Sequence, residues 1–333
     1  MPVLCFGEIL VDCLAERPQQ SLASEQTWMT YAGGAPANVA SALAKLGQSV
    51  CFMGCVGNDH SGRALIATLT EAGVNCDYAT LHRTLPTRQV YVLRDPEGDR
   101  QFLGFGERDP ASFADAQFKP EWVAAEGFEK ADFLVMGTLG LAYPDTGQAM
   151  ARALTLADAQ FAKVVVDVNW RPSFWPQPEL AGPIILEFLR QADFLKLSAD
   201  EAHWLFQTDA PQAIAQRLDQ LEGVMVTHGA AGCTYCFGDR SGHVPAFEVE
   251  VEDTTGAGDA FLAGFLAQIS NLGLGAIATP EAARRTITYA SAVGGLTTLR
   301  AGAMAAQPTH PEVEAFLYLN RDRQLSNLES YGH

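Results

Sequence analysis

Residues 251–261 read Val-Glu-Asp-Thr-Thr-Gly-Ala-Gly-Asp-Ala-Phe, with two glycines, Gly256 and Gly258, and a carboxylate, Asp259, ahead of an apolar run that contains no proline before Pro280. A helix starting near Gly258 is the simplest local assignment. A helix N-terminus leaves backbone N–H groups without intrahelical partners, and the aligned peptide dipoles favour negative charge there. Gly256, Ala257 and Gly258 thus form a candidate anion hole, which an anion can approach closely because glycine has no Cβ. Each well-aimed donor is worth about 3 kcal/mol to a transferring phosphoryl group. Asp259, beside the hole, is placed to take the proton of an attacking hydroxyl. The segment alone also reads as an ordinary helix start, where glycines and acidic residues are common.

A second run, GGAPANVASALAKLG at 33–47, has the same character. Pro36 suits the first helical position and Gly47 is placed to stop the helix. Gly33 and Gly34 again permit close backbone approach. Asn38 is a polar amide in the first turn of an otherwise apolar helix, able to donate and accept toward a polyol. Upstream, Cys5 to Asp12 reads as a buried strand ending in an aspartate, and open α/β sheets place ligands at strand ends.

The elements that position these groups alternate along the chain. Strand-like runs fall near 3–11, 50–56, 133–137, 163–168, 194–197 and 224–228, most of them followed by helix-compatible segments. Such alternation predicts an α/β fold with a mostly parallel sheet flanked by helices. Residues 13–32, and the runs 87–94 and 101–106 around Pro96-Glu97-Gly98, look instead like β-ribbons with no helix to cover them.

With 333 residues, 48% hydrophobic and 18% charged, the chain can bury a large core. A net charge of -17 lacks the basic footprint of a nucleic-acid binder, so no nucleic-acid partner is expected. That charge also repels anionic ligands, so binding one would need some of the 22 basic residues placed locally. Seven cysteines, an odd count with no signal peptide, fit a reducing cytoplasm. Cys233 and Cys236 lie in a strand-like alternation, and no second pair supplies zinc-ligand spacing. No apolar stretch is read as reaching the roughly 20 residues needed to span a bilayer. The tail from Asn320 to His333 is polar and reads as peripheral.

The two glycine-rich runs together resemble the signatures of the ribokinase-like (pfkB) carbohydrate kinases, and among them most resemble the fructokinases. The first signature is GGAPANVA with Gly57-Asn-Asp-His-Ser-Gly62 after it, and the second is DTTGAGDAF at 253–261. The likeness extends from about residue 3 to about 317. It implies a ribokinase-like doubly wound domain made of 1–12, 33–86 and 107–333, with 13–32 and 87–106 as a small β-sheet lid over the sugar. An exposed lid face implies a homodimer through the lid.

The resemblance also implies roles residue by residue. Asp12, Gly33, Gly34 and Asn38 match sugar-binding positions, and Arg108 matches an arginine that follows the lid and reaches the substrate. Asn169 and Arg171, in Asp167-Val-Asn-Trp-Arg171, match a segment facing the reacting centre, where Arg171 would neutralise phosphate charge. Lys196, Ser198 and Glu201 match a nucleotide-site segment in which Glu201 organises magnesium and its waters; Ser198 stands where ribokinases carry asparagine. Thr227, Gly229 and Gly232 match the nucleotide-site turn, with His228 and Ala231 departing from the usual pattern. Asp253, Thr255 and Gly302 match a loop that encloses potassium in some relatives.

The implied reaction is ATP-dependent phosphorylation of a primary sugar hydroxyl, fructose to fructose 6-phosphate, with Asp259 as general base. Arg83, Arg88, Arg94, Arg100 and Arg108 keep 2-keto-3-deoxygluconate open as substrate. A catalytically inactive sugar-binding regulator is the reading from another class. A dehydrogenase is disfavoured, since position 261 is phenylalanine where G-x-G-x-x-G needs glycine.

Overall fold

The computed structural model describes residues 2–15, 27–94 and 100–320. Strands are numbered along the chain. The large sheet contains β1 (Val3–Phe6), β4 (Val50–Gly57), β5 (Asn75–His82), β8 (Phe133–Met136), β9 (Lys163–Asp167), β10 (Phe194–Ser198), β11 (Gly223–Thr227), β12 (Cys233–Phe237) and β13 (Arg240–Val244). Its order is β13-β12-β11-β10-β9-β8-β1-β4-β5, parallel throughout except for the two pairings of β12. The small sheet holds β2 (Leu10–Ala15), β3 (Trp28–Gly33), β6 (Gln89–Arg94) and β7 (Arg100–Gly104), in the order β3-β2-β6-β7.

The helices are α1 (Ala35–Lys45), α2 (His60–Glu71), α3 (Pro144–Ala159), α4 (Ala181–Leu189), α5 (Ala199–Phe206), α6 (Pro211–Ala215), α7 (Ala257–Leu272), α8 (Pro280–Thr297), α9 (Ala303–Ala306) and α10 (His310–Leu319). Alternating side chains of one strand enter opposite cores, as the pleat requires. Val3 and Cys5 pack with residues of α1, α2, α7 and α8, whereas Leu4 and Phe6 pack with residues of α3, α4 and α5. Both faces of the sheet are therefore covered, which accounts for its near-continuous apolar strands. This is the doubly wound α/β fold with a separate small sheet.

Three sequence expectations need correction. The run 3–11 is two strands: the chain breaks at Gly7 (φ 151), where an added Cβ would lie 2.5 Å from Pro36 Cγ. β1 then belongs to the large sheet and β2 to the small one, so Asp12 sits inside a small-sheet strand, between Tyr31 and Val90, rather than at a strand end. The small sheet accordingly takes in Leu10 to Asp12 and Gly33, and residues 16–26 and 95–99, including the Pro96-Glu97-Gly98 turn, lie outside the described residues, as do 321–333. Finally, Ala257–Ile277 is long and apolar enough to cross a membrane. Its apolarity serves the core: 67% of that window is buried, and α7 packs along α8 and α1.

On either side of β1 the connections run in opposite directions across the sheet, so the carboxyl end of β1 is the topological switch point at which such folds bind ligands. The small sheet, α1 and the ends of β9, β10 and β11 converge toward that edge.

Candidate active site

α7 begins at Ala257, with Gly256 as its N-cap in the left-handed region (φ 76) and without a side-chain cap. Without a side-chain cap the first turn leaves N–H groups for an anion, although Ala257 N–H itself donates to Thr254 O at 3.2 Å. Two close approaches explain the glycines. A Cβ on Gly256 would lie 2.7 Å from Ala303 Cβ, and one on Gly258 would lie 2.8 Å from Lys196 Nζ. Gly258 therefore makes room for an ammonium group directly beside the hole.

Asp259, in the first turn of α7, is 9% exposed, and its Oδ2 accepts from Asn38 Nδ2 at 2.8 Å. This contact joins residues 221 apart in sequence and brings the two glycine-rich runs into one site. Burial raises the Asp259 pKa; Lys196, the Asn38 hydrogen bond and Arg171 act against that, and Glu201 adds to it. The result is a carboxylate more basic than one in water. Asn38 Oδ1 is buried with no hydrogen-bond partner among the described residues. A buried acceptor in that position can take a donor such as a hydroxyl.

Lys196 and Asp167 form a buried pair behind the hole, with Nζ 3.0 and 2.9 Å from the two carboxylate oxygens. Burial alone would lower the lysine, but Asp167, Glu201 and Asp259 reverse this and its pKa rises. Burial pushes Asp167 up to about 7 even though Lys196 pulls it down. Asp167 was singled out for no role by the sequence. Its signal was a charged residue ending an otherwise apolar strand, Lys-Val-Val-Val-Asp.

Around this centre, Asn169 adopts φ 41, a left-handed conformation uncommon outside glycine, and Arg171 is exposed with Nη1 donating to Trp170 O at 2.8 Å. Glu201 ties this loop to α5: Oε1 accepts from Trp170 N–H at 2.6 Å and Oε2 from Ser198 N–H at 2.7 Å. Ser198 and Glu201 complete a capping box at the start of α5. Thr227 ends β11 beside Ser198, followed by Gly229 (φ 56) and Gly232 (φ 97). These groups line the carboxyl ends of β10 and β11.

On the small-sheet side, Asp12 lies against Gly33, where a Cβ would collide with Asp12 Oδ2, and Gly34 (φ 104) would place a Cβ 2.6 Å from Glu8 O. Asp253 Oδ1 accepts from Thr255 N–H at 2.9 Å and from its hydroxyl at 2.7 Å, and Oδ2 accepts from Gly302 N–H at 3.0 Å. That carboxylate bolts the turn before α7 to the loop before α9.

Arg108 stands apart. It is exposed and lines a cavity of about 500 Å³ together with Asp59, Thr87, Gln89 and Tyr91. Gln89 and Tyr91 pair with Val11 and Cys13, so they face away from the side of the small sheet that carries Asp12. Phe105 and Phe113 line the same cavity and pack with Leu10 and Val90 on the Asp12 side, so the cavity borders both faces of the sheet; among the described residues no hydrogen bond or ion pair joins Arg108 to the Asn38–Asp259 pair.

Residues 2–310 match the model of the pfkB family carbohydrate kinases. The chain is 34% identical over 319 residues to a probable chloroplastic fructokinase-6 from Arabidopsis thaliana, covering 95% of this chain and 82% of that protein. The crystal structure of fructokinase with bound ATP from Xylella fastidiosa superposes with a TM-score of 0.87 at 31% identity, covering 96% of this chain and 99% of that one. A Vibrio cholerae fructokinase in its fructose-, ADP- and calcium-bound form gives 0.81 at 27% identity, over 95% of this chain and 98% of that one. The chain belongs to the pfkB family of carbohydrate kinases and is a phosphotransferase acting on a sugar hydroxyl.

Proposed function

We propose that the protein transfers the γ-phosphoryl group of ATP to the primary hydroxyl of D-fructose, giving fructose 6-phosphate. The observation that carries this reading is the buried Asp259 at the α7 N-terminus, held by an Asn38 whose own Oδ1 has no partner among the described residues. The fructokinases among its relatives, one of them with fructose and ADP bound, support the choice of sugar.

In this reading fructose lies between the small sheet and α1, with Asp12, Gly33, Gly34, Asn38 and Asn169 around its hydroxyls. The nucleotide runs along Lys196, Ser198, Thr227, Gly229 and Gly232, and its γ-phosphate meets the turn of Gly256, Ala257 and Gly258, with the Gly256 and Gly258 N–H groups as donors and Ala257 N–H held by Thr254 O. Asp259 accepts the hydroxyl proton as the oxygen attacks phosphorus in line. The bridging P–O bond breaks and its electron pair leaves on ADP. General-base help supplies about 10²- to 10⁴-fold. Positioning and charge neutralisation by the hole, Lys196 and Arg171 supply more.

Magnesium, when bound, neutralises charge on the β- and γ-phosphates. Each Glu201 oxygen accepts one backbone N–H and keeps a lone pair, which suits contact through a metal-bound water. Asp253, Thr255 and Gly302 are the candidate surroundings of potassium, and an initial rate unchanged when a bulky organic cation replaces potassium would remove that role. Arg108 is kept as a substrate contact only if Arg108→Ala raises the KM for the sugar. Met29 and Phe102, 45% and 38% exposed, share the Asp12 face of the small sheet, which supports a homodimer through the lid; a monomer in sedimentation would refute it.

ADP release with magnesium-ATP, across fructose, glucose, ribose, 2-keto-3-deoxygluconate, adenosine and fructose 6-phosphate, tests the reading. Fructose alone should turn over strongly. Preference for another sugar discards the substrate assignment, and silence on all six favours an inactive sugar-binding regulator.

A further inference from the structure

Glu8 is a buried carboxylate that the reaction just described leaves unused. It lies in the break between β1 and β2, is 7% exposed, and its Oε1 accepts from the backbone N–H of Ala35 at 3.1 Å. Ala35 is the first residue of α1, whose N-cap, Gly34, has no side chain to cap with. Glu8 thus supplies, from a distant segment, the cap that the local sequence lacks. The turn it fixes carries the site: Asn38 N–H donates to Gly34 O at 2.8 Å, and the Asn38 side chain holds Asp259.

On its other side Glu8 borders a cavity of about 10 Å³ shared with Asp115, Tyr143 and Thr146. That is about the size of one water. Asp115 Oδ2 accepts from Arg88 Nε at 2.7 Å, while its Oδ1 is buried with no partner among the described residues. Arg88 is 1% exposed at the base of β6, its carbonyl accepts from Val11 N–H in β2, and its guanidinium lies 4.9 to 5.4 Å from the rings of Phe105, Phe113, Tyr143 and Phe174. Two carboxyl groups therefore face one small cavity, and the Arg88 guanidinium is held on Asp115. Ionising Glu8 in such surroundings is costly. Burial, and then Asp115 and Asp259, push Glu8 up to about 7, against the pull of the Glu8 and Ala35 backbone N–H groups.

We propose that Glu8 is a positioning residue for phosphoryl transfer: in its neutral form it closes the N-terminus of α1, holds Asn38 on Asp259, and donates a hydrogen bond across the cavity toward Asp115 Oδ1. The base of the small sheet and the general base are then built on one buried network. The titratable groups facing Glu8 among the described residues are Asp115 from the turn after the small sheet, Tyr143 at the entry to α3, and Asp259 from α7. Arg88 reaches it through Asp115.

The kinetic part rests on the kinase reading, so the test has two arms. Glutamine copies the neutral acid, with an oxygen to accept from Ala35 and N–H groups to donate across the cavity, whereas alanine removes both. Glu8→Ala should lower kcat about tenfold or more with the KM for ATP within about twofold, because misplacing a catalytic group costs turnover before binding. Glu8→Gln should restore kcat to within about threefold of the parent, having kept the cap. Parental kcat in Glu8→Ala, or the same loss in both variants, overturns the proposal.

The second arm is thermal unfolding, which needs no turnover. A carboxyl whose folded pKa lies above its unfolded value stabilises fully below the unfolded pKa, and that contribution is lost as the pH rises through about 7. Glutamine has nothing to ionise, so the melting temperature of Glu8→Gln should rise relative to the parent between pH 5 and pH 8.5; a constant difference overturns the neutral Glu8. If Glu8→Ala does not fold, Glu8→Gln decides alone, by kcat and by this pH trend. A parent inactive on every sugar sinks the proposed reaction, and the unfolding arm still judges Glu8.

Discussion

Replacing Lys196 by methionine removes one member of the buried Lys196–Asp167 pair and keeps much of its volume. In the parent, burial holds Asp167 up to about 7 while Lys196 pulls it down. Without the ammonium its pKa must climb further. Below pH 6 the folded variant and the folded parent both hold Asp167 largely protonated, so the cost should be under about 1 kcal/mol, little more than a changed hydrogen bond. Above pH 7 the parent ionises Asp167 against Lys196, but the variant keeps its proton or carries an uncompensated charge. The penalty then grows by up to about 1.4 kcal/mol per pH unit. By pH 9 it should reach about 3 kcal/mol, the lower end of what breaking a buried ion pair costs. Urea unfolding of both proteins at pH 6 and pH 9 measures this directly. A penalty independent of pH would refute the reasoning, since it would mean that Lys196 acts through packing and not through the charge of Asp167.

Further predictions follow from the same geometry. Asn38→Ala removes the donor to Asp259 and the unpartnered acceptor together; loss of hydrogen bonds involving a charged group should cut kcat/KM for the sugar about 10- to 100-fold in steady-state assays, with the KM for ATP little changed. Gly258→Ala would put a methyl group 2.8 Å from Lys196 Nζ. Because Asp167 pins that ammonium, kcat should fall at least about tenfold, the response of a transition-state anion hole to displaced donors, and a parental kcat would show the hole to be less crowded than described. Gly256→Ala must adopt φ 76 and press on Ala303, so calorimetry should show destabilisation of about 1 to 3 kcal/mol.

What was legible in the sequence was local. Gly256 to Asp259 and Gly33 to Asn38 announce helix N-termini through residue types within a single turn, and both helices form, with Pro36 at the second position of α1 and not the first. The alternation of apolar runs with helical segments was enough for the large parallel sheet. What could not be read depended on partners far away in the chain. The run from Val3 to Val11, apolar but for Gly7 and Glu8, hides a change of sheet, because apolar residues resume at once after the turn at Gly7. Glu8, Arg88 and Asp115 look like scattered surface charges until the fold buries them side by side. Arg108 carries a role by resemblance, and the structure sets it in a cavity with Asp59, Gln89 and Phe105, a place fixed by the turn after β7 and not by its neighbours in sequence. The apolar length of Ala257–Ile277 measures how deeply α7 is packed between α8 and α1.

The central claim is that Asp259 is the base in phosphoryl transfer to fructose. The most direct test is fructose-dependent ADP release by Asp259→Asn beside the parent, with fructose binding to each followed by calorimetry. The account predicts a parent that turns over, and a variant that binds fructose with comparable affinity but loses at least about 10²-fold in kcat. A variant that retains substantial turnover while binding fructose normally would contradict it.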